Sequence, residues 1–218
     1  EFWGEIWDYT KIVHSSNYNK VVDDVTKMPG AKWFPGARLN FAENLLRYKD
    51  SRPAIHFKGE GKPIITLSYH EIYNEVEKLS HALRSLGLKR GDRVVGFIPN
   101  IPQAIIAMLA TTSIGAVWSS SSPDFGIKGV LDRFSQIKPK IIFAADGYYY
   151  NGKRFNSLDK LNHIVKNLPT VQKVVIIEYL NEKPELSNKA LSILYKDFID
   201  CDPDPLFFEQ LPFDHPLY

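Results

Sequence analysis

The chain has 218 residues, 44% of them hydrophobic, with a formal charge of +2: enough for a substantial core, and no electrostatic reason to expect nucleic acid or an anionic membrane. Its one cysteine, Cys201, rules out an internal disulfide and fits a reducing compartment. No run approaches the roughly 18 apolar residues that cross a bilayer, and Glu1-Phe2-Trp3 is not the basic start of a signal peptide, so the chain reads as cytoplasmic.

Residues 1–50 are rich in aromatic and turn residues (Phe2, Trp3, Trp7, Tyr9, Trp33, Phe34) and weak in periodicity. Large rings in such a segment usually cover the edge of a neighbouring core, each burying on the order of 150–250 Å², so a cap on the main domain is expected. Ala54 to Lys58, Gly59-Glu60-Gly61 and Ile64 to Leu67 form the pattern of a β-hairpin with a glycine turn. Ser68-Tyr69-His70-Glu71 has capping-box spacing. Ile72, Val76, Leu79, Leu83 and Leu86 then recur at helical intervals until Gly87.

From Arg93 onward strands and helices alternate. Arg93 to Ile98 is a short apolar run of the kind covered on both faces, ended by Pro99-Asn100. Asn100 and Pro102 suit a helix start, with Ile105, Met108, Leu109 and Thr112 on one side. Gly115 to Ser119 is a second buried strand. A third helix carries Ile127, Val130, Leu131, Phe134 and Ile137, and a strand follows at Lys140 to Ala145. Leu158, Leu161, Val165 and Leu168 mark a fourth helix before a strand from Val171 to Glu178. Tyr179 to Asn188, with Asn181, Glu182, Lys183 and Pro184, turns polar and reads as a surface loop. The whole implies an α/β fold: a mostly parallel sheet with flanking helices. Ligands in such folds lie beyond the carboxyl ends of the strands, here Pro99-Asn100, Ser119 to Asp124 and Asp146 to Lys153. The absence of an initiating Met, and the strand-like start Pro216-Leu217-Tyr218, suggest a chain cut from a longer one. A sheet cut at an open edge would invite self-association.

Trp33-Phe34-Pro35-Gly36-Ala37-Arg38-Leu39-Asn40-Phe41-Ala42-Glu43-Asn44-Leu45-Leu46 resembles the amino-terminal signature of acyl-coenzyme A synthetases of the acetate and acetoacetate type. Leu67-Ser68-Tyr69, Gly91-Asp92-Arg93-Val94 and Gly115-Ala116-Val117-Trp118 resemble successive core motifs of the adenylate-forming superfamily. Ser119-Ser120-Ser121-Ser122-Pro123-Asp124-Phe125-Gly126, followed by Asp146 to Lys153, is most similar to the acetoacetate branch. The resemblance covers essentially the whole chain. It implies a cap over residues 1–50, then over 51–218 the first part of the large amino-terminal domain of an adenylate-forming enzyme. It also implies an acid-thiol ligase using ATP, Mg²⁺ and coenzyme A on acetoacetate or another short-chain acid. The family's triphosphate loop, its Thr-Glu pair for Mg²⁺, its ribose-binding Asp and its mobile-domain Lys have no counterpart in these residues. By that comparison no catalytic or metal residue is expected here, and the chain alone should bind none of these ligands tightly and make no adenylate. The remainder of its own chain is then an implied partner.

The same resemblance places part of the coenzyme A nucleotide pocket on two loops. One is Ser122, Pro123 and Asp124. The other is Tyr150, Asn151, Gly152 and Lys153, matching an Arg-x-Gly-Arg segment of the acetate enzymes. Only the glycine is kept there. Lys153 offers a point charge without a guanidinium's bidentate grip, and Asp124 would repel a phosphate unless it points away.

Other candidates have plainer readings. Ser119 to Ser122 lacks the glycines and close lysine of a phosphate cradle; these serines finish a strand, with Ser122 capping the next helix. The six histidines show no metal spacing, and His70 and His81 fall on a helix flank. Cys201 lies between Asp200 and Asp202, which disfavours a thiolate. Tyr148-Tyr149-Tyr150 could stack an adenine but suits a strand end packed on a loop, and Asp132 with Arg133 suits a solvated helix pair. Two other functions stay open: a sister ligase for acetate or propionate, and a non-catalytic binding or assembly protein on the same fold.

Overall fold

Alternate residues of the apolar runs are buried on opposite faces of one sheet, which is what near-continuous hydrophobic strands require. In the computed structural model, which describes residues 1–181 and 183–218, the elements in chain order begin with α1 (Phe2–Tyr9), β1 (His14–Ser16), β2 (Arg38–Leu39) and α2 (Phe41–Leu45). There follow β3 (Pro53–Lys58), β4 (Ile64–Ser68), α3 (Tyr69–Ser85), β5 (Arg93–Phe97), α4 (Pro102–Ser113) and β6 (Val117–Ser121). Next come α5 (Ile127–Ile137), β7 (Ile141–Ala145), β8 (Gly147–Tyr150), β9 (Lys153–Asn156), α6 (Leu158–Lys166) and β10 (Lys173–Ile177). The last are β11 (Ser192–Leu194), α7 (Tyr195–Phe198) and β12 (Leu211–Pro212). Glu182, part of the polar stretch after β10, lies outside the described residues.

The central sheet has the order β11-β10-β7-β5-β6, and each pair in it is parallel. Val94, Phe143, Val175 and Ile177 pack with α3 and α4 on one face. Val95, Phe97, Ile142, Ala144, Val174 and Ile176 pack with α5 and α6 on the other. The capping box forms as expected: Ser68 Oγ accepts the Glu71 N–H and the Glu71 carboxylate accepts the Ser68 N–H at 2.7 Å. The β3–β4 hairpin pairs as a separate two-stranded sheet.

Three expectations need correction. Ile105 is exposed, while Ile106, Ala107, Leu109 and Ala110 are buried, because α4 packs against α2, α3 and β6 and has no single wet face. Ile101, not Asn100, is its N-cap, with Pro102 in the first turn. The second strand begins at Val117 and is the sheet's edge. Along that edge the Trp118 N–H donates to the Leu217 carbonyl at 3.1 Å, and Ser120 Oγ bonds Tyr218 OH at 2.8 Å.

The aromatic cap is also built differently from expectation. Phe2, Trp3 and Tyr9 are exposed. Trp7 and Phe34 stack on each other at 4.9 Å and form a small core of their own with Ala37, Tyr18 and Ile12. Polar side chains tie this segment to the main body. Asn40, 1% exposed, caps α2 by accepting the Glu43 N–H. Its amide nitrogen donates to the carbonyls of Thr112, Ser113 and Glu209 at 3.1, 3.2 and 2.9 Å, joining the end of α4 to the segment before β12. Asn44 exchanges two bonds with the Val13 backbone.

Asn40→Asp keeps the capping oxygen but turns a carboxylate toward three carbonyls. It should cost about 2–4 kcal/mol, as should Asn40→Ala, read as a lowered urea midpoint by tryptophan fluorescence of the full-length protein. An unchanged midpoint for Asn40→Asp would show that only the capping half matters.

Candidate functional site

Parallel strands end on the same side of the sheet, so the loops after β5, β6, β7 and β10 share one rim. The rim is organised by Asp146, which follows β7 and is fully buried. One carboxylate oxygen accepts the N–H groups of Tyr179 and Leu180 at 2.9 and 2.8 Å. The other accepts the Asn181 N–H at 2.9 Å and its side-chain amide at 3.0 Å. The Asp146 N–H donates to the Ile177 carbonyl, and its own carbonyl accepts the Ser157 N–H. Among the described residues no cation takes part in this set. Four donors hold the charge instead, each charge-assisted bond being roughly twice as strong as a neutral one.

Asp146 to Lys153, read from the sequence as a strand end, is the first arm and turn of a hairpin. Gly147 to Tyr150 pairs antiparallel with Lys153 to Asn156, turning through Asn151 and Gly152 at φ +50° and +72°. Two positive φ values define a type I′ turn, and Asn-Gly is the dipeptide that makes it without strain. Asn151-Gly152 between β-forming residues was therefore a readable hairpin signal, and it gives the glycine a conformational reason to be there.

Cross-strand partners share a face, and this divides the candidate residues. Tyr149 and Arg154 are partners and look toward β10. Tyr149 meets Tyr179 edge-on at 6.0 Å. Arg154 bonds the Leu180 carbonyl and Asn181 Oδ1, both at 3.1 Å, and lies over the Tyr149 ring. Tyr148 with Phe155 and Tyr150 with Lys153 occupy the other face, and Tyr148 stacks on Phe155 at 5.2 Å. Tyr150 is 69% exposed. The Lys153 side chain is exposed, and its ammonium shows no hydrogen bond or ion pair to a described residue. Burial, with the negative charge of Asp124 second, pushes the Tyr148 phenol above its usual range. Asp124 thus lies within electrostatic reach of the Tyr148 hydroxyl.

Within that loop the Ser122 carbonyl accepts the Phe125 N–H, Pro123 is buried and its carbonyl accepts Lys160 Nζ at 3.1 Å. Ser122 does not cap α5. Gly126 does, without a side-chain bond, because the Ser-Pro-Asp-Phe turn intervenes. The serines do finish β6, whose last residue is Ser121. Cys201 is half-buried and its thiol bonds the Lys78 carbonyl. His81 pairs with Asp204 at 3.5 Å. Among the described residues no group of three or more His, Cys, Asp or Glu side chains could hold a metal ion. No helix among them is long and apolar enough to cross a membrane.

The family model for AMP-binding enzymes matches residues 41–207, three-quarters of the chain. The chain belongs to the AMP-binding enzyme family. A second model, the acetyl-coenzyme A synthetase N-terminus, matches residues 1–45. The chain is 47% identical to acetoacetyl-CoA synthetase of Macaca fascicularis and 45% to acetoacetyl-coenzyme A synthetase of Rhizobium meliloti, over 100% of its length and 34% and 33% of theirs. It is 38% identical to a malonamoyl-CoA synthetase of Penicillium aethiopicum, covering 32% of that protein. The solved acetoacetyl-CoA synthetase of Streptomyces lividans superposes with a TM-score of 0.91 at 39% identity, over 99% of this chain and 33% of that one. The chain spans about a third of the length of these relatives.

Asp146→Asn would turn an amide donor toward N–H groups that need an acceptor. It should destabilise by about 2–3 kcal/mol and speed amide exchange at Tyr179, Leu180 and Asn181 before the rest of the sheet; exchange that rises uniformly would refute the local clamp.

Proposed function

We propose that the protein carrying this chain joins acetoacetate to coenzyme A at the expense of ATP. The acid carboxylate attacks the α-phosphate and expels pyrophosphate; the coenzyme A thiol then attacks the acyl carbon, loses its proton and expels AMP. The observation that carries this reading is whole-chain identity of 47% and 45% to relatives named for acetoacetate, against 38% to one named for malonamoyl-CoA. That last relative favours a second reading, a different short-chain acid on the same scaffold. We place the reaction in the cytoplasm, in keeping with a single half-buried thiol.

In this reading residues 1–50 cap the domain that 51–218 begins, and the chain supplies a surface for the coenzyme A nucleotide rather than the groups that react. Lys153 is its charged contact, with Tyr150 and the outward Gly152 N–H beside it and Ser122, Pro123 and Asp124 as the opposing wall. A flexible ammonium can follow a phosphate as a point charge. Arg154, committed to the carbonyl of Leu180, is a framework residue.

The test is AMP release by the full-length protein with acetoacetate, acetate, propionate and malonamate in turn. Preference for acetoacetate supports the first reading, and preference for another acid supports the second. Lys153→Ala should raise KM for coenzyme A about five- to tenfold, between the scale of an exposed ion pair and that of a charge-assisted hydrogen bond, and leave acetoacetate-dependent pyrophosphate exchange intact. An unchanged KM for coenzyme A removes the surface from the proposal.

A further inference from the structure

The tips of two hairpins meet beside the candidate surface, with a carboxylate at the contact. Glu60, at the β3–β4 tip, accepts a hydrogen bond from the Gly152 N–H at the β8–β9 tip, 92 residues away in sequence. Lys62 secures the same tip: it donates to the Tyr179 carbonyl and lies 4.2 Å from the Tyr179 ring centre and 5.6 Å from that of Tyr149. Gly59 permits the close approach, since a Cβ there would stand 2.6 Å from the Tyr179 hydroxyl. The Glu60 charge is felt in this cluster. After burial and Tyr149, it helps push the Tyr179 phenol above its usual range.

In a type I′ turn the N–H of the second central residue points away from the hairpin. The Gly152 N–H is therefore a donor that an anion approaching Lys153 would meet, and Glu60 already holds it. A phosphate oxygen coming to that place must replace the carboxylate bond and sit near a like charge. An uncharged ligand pays neither cost, so the arrangement discriminates by opposing one class of ligand rather than by attracting another.

We propose that Glu60 is a resident competitor at the Tyr150–Lys153 turn that lowers, and so sets, the affinity of this surface for phosphate groups of a nucleotide. The inference rests on the reading of that turn as a coenzyme A nucleotide surface. Lys153 supplies the attraction and Glu60 the opposing charge. Binding then moves the Glu60 side chain off Gly152 and leaves the hairpin held by Lys62.

The experiment is calorimetric titration of the full-length protein with adenosine 3′,5′-bisphosphate, using adenosine as the uncharged probe. Glu60→Gln keeps side-chain length and an acceptor but removes the charge. It should tighten the bisphosphate about threefold, the scale of exposed charge pairs, leave adenosine unchanged, and lose the gain in high salt. Lys153→Ala should weaken the bisphosphate. If Lys153→Ala does so while Glu60→Gln leaves affinity unchanged or lower, the competitor role is overturned and the surface stands. If Lys153→Ala changes nothing, the surface reading falls and the competitor with it. An equal gain for adenosine would be steric and would also overturn the proposal.

Discussion

The rim of this sheet depends on one buried carboxylate held by four N–H donors. Taking a carboxylate out of water is expensive, and Asp146 recovers that cost through four donors from three consecutive residues. The consequence is topological. The turn after β10 is pulled onto the end of β7, and the Asp146–Ser157 backbone bond closes the base of the β8–β9 hairpin where α6 begins. The hairpin is a ten-residue excursion with both ends fixed at one residue, so its tip is presented in a set direction.

A second polar residue does similar work at the opposite end of the chain. Asn40 begins α2 with its oxygen and meets the last carbonyls of α4 with its nitrogen, binding the amino-terminal segment to the rest of the chain. Asn44 repeats the device on Val13. The signature from Trp33 to Leu46 is thus in part a structural statement: Phe34 and Ala37 build the small core, and the two asparagines fasten it.

Hydrophobic period made the central strands and α3 legible because each has one consistent burial rule: two apolar faces for β5, β7 and β10, and one apolar stripe with a capping box for α3. Period failed where burial had more than one source. Helix α4 is enclosed by neighbours on several sides, so no stripe could reveal that Ile105 faces out. Tyr148-Tyr149-Tyr150 carries an aromatic ring on both faces, and that hides strand alternation; the Asn-Gly turn was the signal that remained. Short elements such as β11 and α7 carry too few residues for a period and are fixed by contact, β11 by parallel pairing with β10 and α7 by Tyr195, whose hydroxyl bonds Glu75 on α3. The candidate site was legible as two loops but not as two faces, because a face depends on hairpin register.

That register gives adjacent cations different jobs. Lys153 and Arg154 are neighbours in sequence, yet the pleat sends them to opposite sides. Arg154 meets carbonyl oxygens and an aromatic face, where a planar guanidinium suits several partners at once; Lys153 meets solvent beside Tyr150. A lysine at position 154 would keep the charge but lose the fork that joins Leu180 to Asn181, while an arginine at 153 would add a bidentate grip with nothing of the framework to disturb. Resemblance of this segment to an Arg-x-Gly-Arg pattern is therefore less informative than the pairing Tyr150–Lys153, since the pairing decides which charge is open to solvent. The hairpin separates holding the fold from facing solvent, and a one-residue slip in its register would exchange the two.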